Sequence, residues 1–325
     1  MIMVRLSALV LLVAASASAW AAADPVLRWA GAWPNTDFSR ALVPFAEIRP
    51  GGPARDGIPS IDAPRFASIA EAAIPGVEPV VSVALGDEAR AYPLRILIWH
   101  QIVNDRIGGV PVAVTYCPLC NAAIVFERQV DDEILEFGTT GLLRHSDLVM
   151  YDRRTESWWQ QYEGRAIVGS LAGSRLIPVP ARLESMGRFA ERFLAGMVLM
   201  PPDHSLRPYG RNPYTGYDGM PSPRLYEGPL PDGIEPLARV VAVGGRAWSL
   251  ELVREVGTID TGELLIEWTP GQSSALDTKQ ISEGRDVGNI VVRTRREGSL
   301  VDVLYTVEFA FAFKAFHPEA TIVVE

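Results

Sequence analysis

The feature that most constrains the fold of this chain is a short run, residues 115–121 (TYCPLCN), which contains its only two cysteines. With two cysteines in 325 residues, the fold cannot depend on a disulfide network and needs a hydrophobic core. The run lies between strand-like segments at 110–116 and 122–130, so we predict a turn that brings Cys117 and Cys120 together. Two thiols at this spacing can bind a metal, form a small disulfide or carry out redox chemistry.

The first residues, 1–23, are predicted to be a signal peptide. A short basic start precedes an apolar run from Leu6 to Ala19, and small residues offer cleavage sites after Ala19 or Ala23. The apolar run is shorter than the roughly 18 residues that a spanning helix needs. We therefore expect a periplasmic or secreted protein with no integral membrane segment after cleavage.

Composition predicts a folded globular protein. About 300 residues remain after cleavage, which is enough for one large or two medium domains. Hydrophobic residues make up 48% and charged residues 21% of the chain, and the net charge is −9. This acidic balance argues against nucleic acid as a partner. A partner protein or a small ligand is not specified by the sequence.

The pattern of apolar residues predicts a β-rich α+β protein in several parts. An extended lead, rich in proline and glycine, covers 24–79, and a cysteine-containing module covers 80–200. Within that module, apolar residues at helical spacing predict a helix over 94–104 that leads into the strand before Cys117. A second module without cysteines covers 237–325.

Between the modules, residues 201–236 contain nine prolines, five glycines and four tyrosines. Prolines exclude a continuous strand or helix, and flexible linkers contain fewer aromatic residues. We expect an ordered strap on the surface, and we call this segment the strap. The segments 80–94 and 116–124 resemble 240–250 and 268–276, which predicts two related modules, the second without the cysteines.

The cysteine pair needs other donors if it binds a metal, because thiolate sites take about four ligands. His100, at the end of the predicted helix, is the best candidate, and Met150 is a further donor. Such a set suits a soft metal, most of all copper, or zinc. Catalytic residues are not assigned.

Two alternatives remain open. One is a metal-free thiol oxidoreductase or disulfide switch, although the residues after Cys120 resemble a strand rather than the helix of thioredoxin-like proteins. The other is a ligand-binding module with a structural disulfide, which would use the strap and the pair Trp158-Trp159 as a groove.

Four segments, 100–105, 115–120, 146–153 and 169–173, resemble a bacterial and archaeal family catalogued only as an exported domain of unknown function. The resemblance covers 80–200 well and the C-terminal part loosely. It implies no settled activity. The residues that match its motifs are His100, Asn104, Cys117, Cys120, Asp147, Met150, Asp152 and Trp158. Of these, we predict Cys117, Cys120, His100 and Met150 as metal ligands and Asn104, Asp147, Asp152 and Trp158 as binding residues.

Overall fold

A computed structural model describes residues 25–325, so the predicted signal peptide lies outside the described residues. Strands make up 40% and helices 15% of the structure, which confirms the prediction of a β-rich fold. Within this part of the chain, no helix has the length and apolar character needed to cross a membrane. The helices are α1 (Pro25–Ala30), α2 (Ile69–Ala72), α3 (Leu94–His100), α4 (Met186–Arg192), α5 (Leu250–Val256) and α6 (Ala310–Phe316).

The strands are short and run through the whole described chain. In chain order they are β1 (Ile48–Pro50), β2 (Arg65–Ser68), β3 (Pro79–Leu85), β4 (Glu88–Pro93), β5 (Ile102–Ile107), β6 (Val110–Cys117), β7 (Ala122–Glu127), β8 (Gln129–Val130), β9 (Glu133–Ile134), β10 (Phe137–Arg144), β11 (Asp147–Asp152), β12 (Trp158–Gln160), β13 (Arg165–Val168), β14 (Ile177–Val179), β15 (Arg182–Ser185), β16 (Met197–Met200), β17 (Arg239–Val243), β18 (Arg246–Ser249), β19 (Thr258–Asp260), β20 (Leu264–Thr269), β21 (Asn289–Arg296), β22 (Ser299–Asp302), β23 (Thr306–Phe309) and β24 (Ile322–Val323).

Five sheets of four or five strands and one two-stranded sheet, β8-β9, organise these strands. Sheet 1 has the order β15-β3-β4-β16-β2, sheet 2 β14-β7-β6-β5, and sheet 3 β1-β10-β11-β12-β13. Sheet 4 has the order β23-β17-β18-β24 and sheet 5 the order β19-β20-β21-β22. The pairs β4·β16 and β18·β24 are parallel, and the other pairs in sheets 1, 2, 4 and 5 are antiparallel.

The predicted helix over 94–104 is too long. Helix α3 ends at His100, and Gln101 adopts a left-handed conformation with φ of 60° that reverses the chain. The β-branched residues Ile102 and Val103 then begin β5, which pairs with β6. As a result Asn104 lies on a strand, and the end of α3 is separated from the following strand by a sharp turn.

A large core links the sheets, and a smaller aromatic cluster lies on sheet 3. In that cluster Trp158 packs edge-on against Trp29 and Trp33, which come from the predicted lead. The strap contains one short 3₁₀ turn, Tyr217–Gly219, and no strand among its residues. Tyr217 is fully buried in the large core, so this part of the strap contributes to packing.

Candidate metal centre

The cysteines lie at the two ends of a tight hairpin turn. Cys117 is the last residue of β6 and pairs with Ala122, the first residue of β7. Between them the N–H of Asn121 donates to the carbonyl of Pro118 over 3.3 Å, and Asn121 has φ of 53°, a conformation that asparagine tolerates. Because four residues close the turn, Cys120 is directed back beside Cys117.

A buried carboxylate completes a group of three possible metal ligands. Asp147 begins β11 directly after a left-handed turn at His145 and Ser146. Its carboxylate and the sulfurs of Cys117 and Cys120 offer ligand atoms that all lie within 4.8 Å of one another. The three residues are 1% exposed or less, so this is a dry, acidic and sulfur-rich site.

The two oxygens of Asp147 have different surroundings. Oδ2 accepts hydrogen bonds from Nε2 of Gln160 at 2.7 Å and from the backbone N–H of Tyr162 at 3.0 Å. Oδ1 is buried and has no hydrogen-bond partner among the described residues. The Cys117 thiol instead donates to the carbonyl of Ser146, at 3.7 Å. One carboxylate oxygen is therefore held in place while the other is left without a partner.

Burial shifts the acid–base properties of the site. It raises the pKa of Asp147 to about 6, against the opposing effect of the hydrogen bonds from Gln160 and Tyr162 and of the two nearby thiols. It also raises the pKa of the Cys120 thiol, with further contributions from the adjacent Cys117 and from negative charge nearby. A cation would favour the charged forms of both groups.

A second buried carboxylate, Glu308, comes from β23 and was missed in the sequence. Its Oε1 accepts hydrogen bonds from the hydroxyls of Tyr162, at 2.8 Å, and Thr306, at 3.1 Å. Its Oε2 is buried without a partner among the described residues, and burial raises the pKa of Glu308 to about 8. The negative charge of Glu308 raises the pKa of Cys120, so the two groups are neighbours.

The strap and β23 cover the cysteine turn. The hydroxyl of Tyr217 donates to the carbonyl of Leu119, and the N–H of Phe309 donates to the carbonyl of Cys120. Both donor–acceptor distances are 2.9 Å. The hydroxyl of Ser146 donates to the strap carbonyl of Arg224, at 2.7 Å. Thiol–disulfide exchange needs an accessible sulfur, and this covered arrangement does not present one.

His100 lies outside the group of three. Its Nδ1 is 2.8 Å from the carbonyl oxygen of Pro59, and its Nε2 is 2.8 Å from the hydroxyl of Tyr209. Both ring nitrogens are therefore engaged in hydrogen bonds, and the third residue of the group is Asp147. Met150 follows Asp147 by three residues on β11 and packs in the large core, which also contains both cysteines. Its role as a further donor stays a prediction.

Three residues predicted to bind a ligand make contacts that connect structural elements. Asn104 exchanges hydrogen bonds with the backbone N–H and carbonyl of Phe137, which joins β5 to β10. Asp152 accepts a hydrogen bond from Nε1 of Trp159 over 3.0 Å. Trp158 is fully buried in the aromatic cluster of sheet 3. These contacts give each residue a structural role.

The sequence was also compared with known proteins. The model of a family described as a protein of unknown function (DUF3179) matches residues 55–320, a range that includes both cysteines, Asp147 and Glu308. No curated protein matches the chain, and no solved structure does. The match confirms the resemblance drawn from the sequence motifs.

Proposed function

The chain belongs to this family of unknown function, and we propose that Cys117, Cys120 and Asp147 bind a metal ion, with zinc the best fit. The observation that carries the proposal is the buried cluster itself, in which both sulfurs and a carboxylate oxygen of Asp147 lie within 4.8 Å of one another. Within the described part of the chain, Oδ1 of Asp147 makes no hydrogen bond of ordinary length. A buried carboxylate oxygen without a partner is energetically costly, and a bound cation would remove that cost.

The donor set supports zinc. Zinc accepts thiolate and carboxylate ligands at about 2.0–2.3 Å in tetrahedral geometry, which separates ligand atoms by roughly 3.3–3.8 Å. The three donor atoms lie within 4.8 Å of one another, so a small contraction would suffice. A carboxylate in place of the predicted histidine is a harder ligand, which shifts the expected preference from copper towards zinc.

Three protein ligands leave one coordination position, as in zinc sites that bind a water or a substrate. A zinc ion there would act as a Lewis acid on whatever occupies that position. The protein's contribution is to hold Asp147 through Gln160 and Tyr162, so that its carboxylate stays beside the sulfurs. The strap and β23 keep bulk water away from the pair.

We also propose that the chain consists of two related modules and acts in the periplasm or outside the cell. Sheets 1 and 4 share an antiparallel three-stranded core, β15-β3-β4 or β23-β17-β18, that is followed by a parallel neighbour, β16 or β24, and sheets 2 and 5 are four-stranded antiparallel sheets. In the first half, the short helix α3 directly follows β4, the second strand of a hairpin in sheet 1. In the second half, the short helix α5 directly follows β18, the second strand of a hairpin in sheet 4. On this interpretation the first module provides the ligands and the second provides the cover.

The test is elemental analysis with thiol counting on mature protein purified from the periplasm without a histidine tag. We expect near-stoichiometric zinc that is lost in Cys117→Ser and in Asp147→Asn. His100→Asn is the matched control and should keep its metal, because His100 is outside the group. Stoichiometric copper would overturn the choice of zinc. Absence of metal, with two thiols that appear only after reduction, would replace the metal site with a disulfide.

A further inference from the structure

A separate cavity of about 290 Å³ lies between the first and second halves of the chain. Its walls come from β7, the loop after β12, β14 and the residue Ala181 after it, the turn between β17 and β18, the start of β23, and His317 after α6. Most of the lining is apolar and includes Ile124, Phe126, Val179 and Leu304. The volume is close to the lower limit of about 300 Å³ for small-molecule pockets, so a ligand would have to be compact.

The polar groups of this cavity are almost all hydrogen-bond acceptors. Tyr162 and Thr306 line it, and each uses its single hydroxyl hydrogen in a bond to Oε1 of Glu308. Only their oxygen lone pairs remain for a ligand. Glu163 adds a carboxylate, which also lies 3.7 Å from the guanidinium of Arg144 outside the cavity. His317 adds the one imidazole, and burial lowers its pKa, which favours the neutral form with one donor and one acceptor. No lysine or arginine is found among the described residues that line the cavity.

We propose that this cavity binds a small hydrophobic amine. The ammonium group would donate hydrogen bonds to the oxygens of Tyr162 and Thr306 and would be attracted by Glu163. The apolar part of the ligand would pack against the aliphatic and aromatic walls. A carboxylate ligand would face acceptors and a like charge, so it is disfavoured on the same grounds.

The corresponding groove in the other half has a different character. Glu184 on β15 occupies the position that Glu308 occupies on β23. Glu184 pairs with Val80 and lies shortly before α4, and Glu308 pairs with Val240 and lies shortly before α6. The groove beside Glu184 is lined by arginines and glutamates, and Arg192 pairs with Glu184. Ion pairs thus line one groove and apolar side chains the other, which points to a ligand role for the apolar cavity alone.

The cavity is adjacent to the cysteine site without sharing its ligands. Tyr162 connects the two, because its backbone N–H holds Asp147 while its side chain lines the cavity and holds Glu308. The amine proposal rests on the cavity and its hydrogen bonds and not on a bound metal. Binding can therefore be measured on protein with or without zinc.

The probe is 2-phenylethylamine, compared with the similarly shaped 2-phenylethanol and phenylacetate, titrated into the mature full-length protein by calorimetry or ligand-observed NMR. We expect the amine to bind about tenfold more tightly than the alcohol, since hydrogen bonds from a charged donor are the stronger ones. Equal binding of all three ligands would overturn the proposal, as would no binding of the amine at millimolar concentration.

Two variants locate the binding. Ala181→Phe should fill the cavity and abolish binding, and Thr306→Val should weaken the amine several-fold while the alcohol changes little. Val291→Phe, in the groove beside Glu184, is the matched control and should bind like the wild type. If Ala181→Phe does not fold, Thr306→Val still decides. Unchanged amine binding in both folded cavity variants would refute the site.

Discussion

Asp147→Asn is expected to stabilise the metal-free protein and to remove its stabilisation by zinc. Asparagine is nearly the same size as aspartate, and its carbonyl oxygen can still accept the hydrogen bonds from Gln160 and Tyr162. Its amide nitrogen would replace the unpartnered oxygen beside the two thiols. The substitution thus removes a buried charge and one metal ligand while it keeps the hydrogen bonds that fix the side chain.

The magnitude without metal follows from the pKa of Asp147. Burial raises this pKa from 3.8 to about 6, a difference of about 2.2 that corresponds to about 3 kcal/mol. Because the folded state binds the proton more tightly than the unfolded state, stability falls as pH rises from about 3.8 and levels off above about 6. At neutral pH the metal-free variant should therefore exceed the wild type by up to about 3 kcal/mol.

With excess zinc, the stability advantage of Asp147→Asn over the wild type should narrow sharply or reverse. A ligand at one hundred times its Kd stabilises the protein that binds it by about 2.7 kcal/mol. The wild type should show this gain and the variant should not. The comparison between the two conditions therefore isolates the contribution of the metal from the general effect of burying a charge.

The assay is urea unfolding of the mature protein, followed by tryptophan fluorescence, with a chelator and with excess zinc. Glu184→Gln is the matched control: it alters a buried carboxylate outside the cysteine site, so its stability changes but its gain from zinc should equal that of the wild type. A variant that is less stable than the wild type in chelator, or that gains as much from zinc, would refute the reasoning.

Three further predictions concern access and packing. In metal-free protein both thiols should react slowly with a thiol reagent and rapidly in urea, because they are 1% and 0% exposed; fast native labelling would contradict this. Tyr217→Phe removes the hydrogen bond to Leu119, which should lower the free energy of unfolding by about 1 kcal/mol and speed the reaction of the thiols with the reagent. An unchanged rate of thiol labelling would argue against cover by the strap. Trp158→Ala should cost about 3–5 kcal/mol in unfolding experiments with zinc content unchanged, and loss of zinc would contradict its structural role.

The sequence predicted the cysteine turn and the strands around it because their signals are local. Proline and asparagine mark the turn, and the flanking β-branched and apolar residues mark β6 and β7. The prediction for His100 depended on a helix running on to Asn104. The apolar spacing continued to Ile102, but the left-handed Gln101 ended the helix at His100. Spacing alone did not reveal that conformation.

Asp147 and Glu308 illustrate what a single sequence cannot specify. Asp147 was predicted as a binding residue from a family motif, but no local pattern placed it beside the cysteines. Glu308 lies far along the chain, in the second predicted module, and reaches the site only because β23 lies against β7. Such pairings depend on how the sheets pack, which no short segment encodes.

The cover over the cysteine turn has a consequence for how the protein is made. The turn is closed by Tyr217 and by Phe309, which enter the chain long after Cys120. Until those residues have been synthesised and have docked, both thiols remain open to oxidants and to metal ions, and contacts between distant residues form slowly. On the proposed function, metal capture would have to precede the closure of the site and to outpace oxidation of the two thiols.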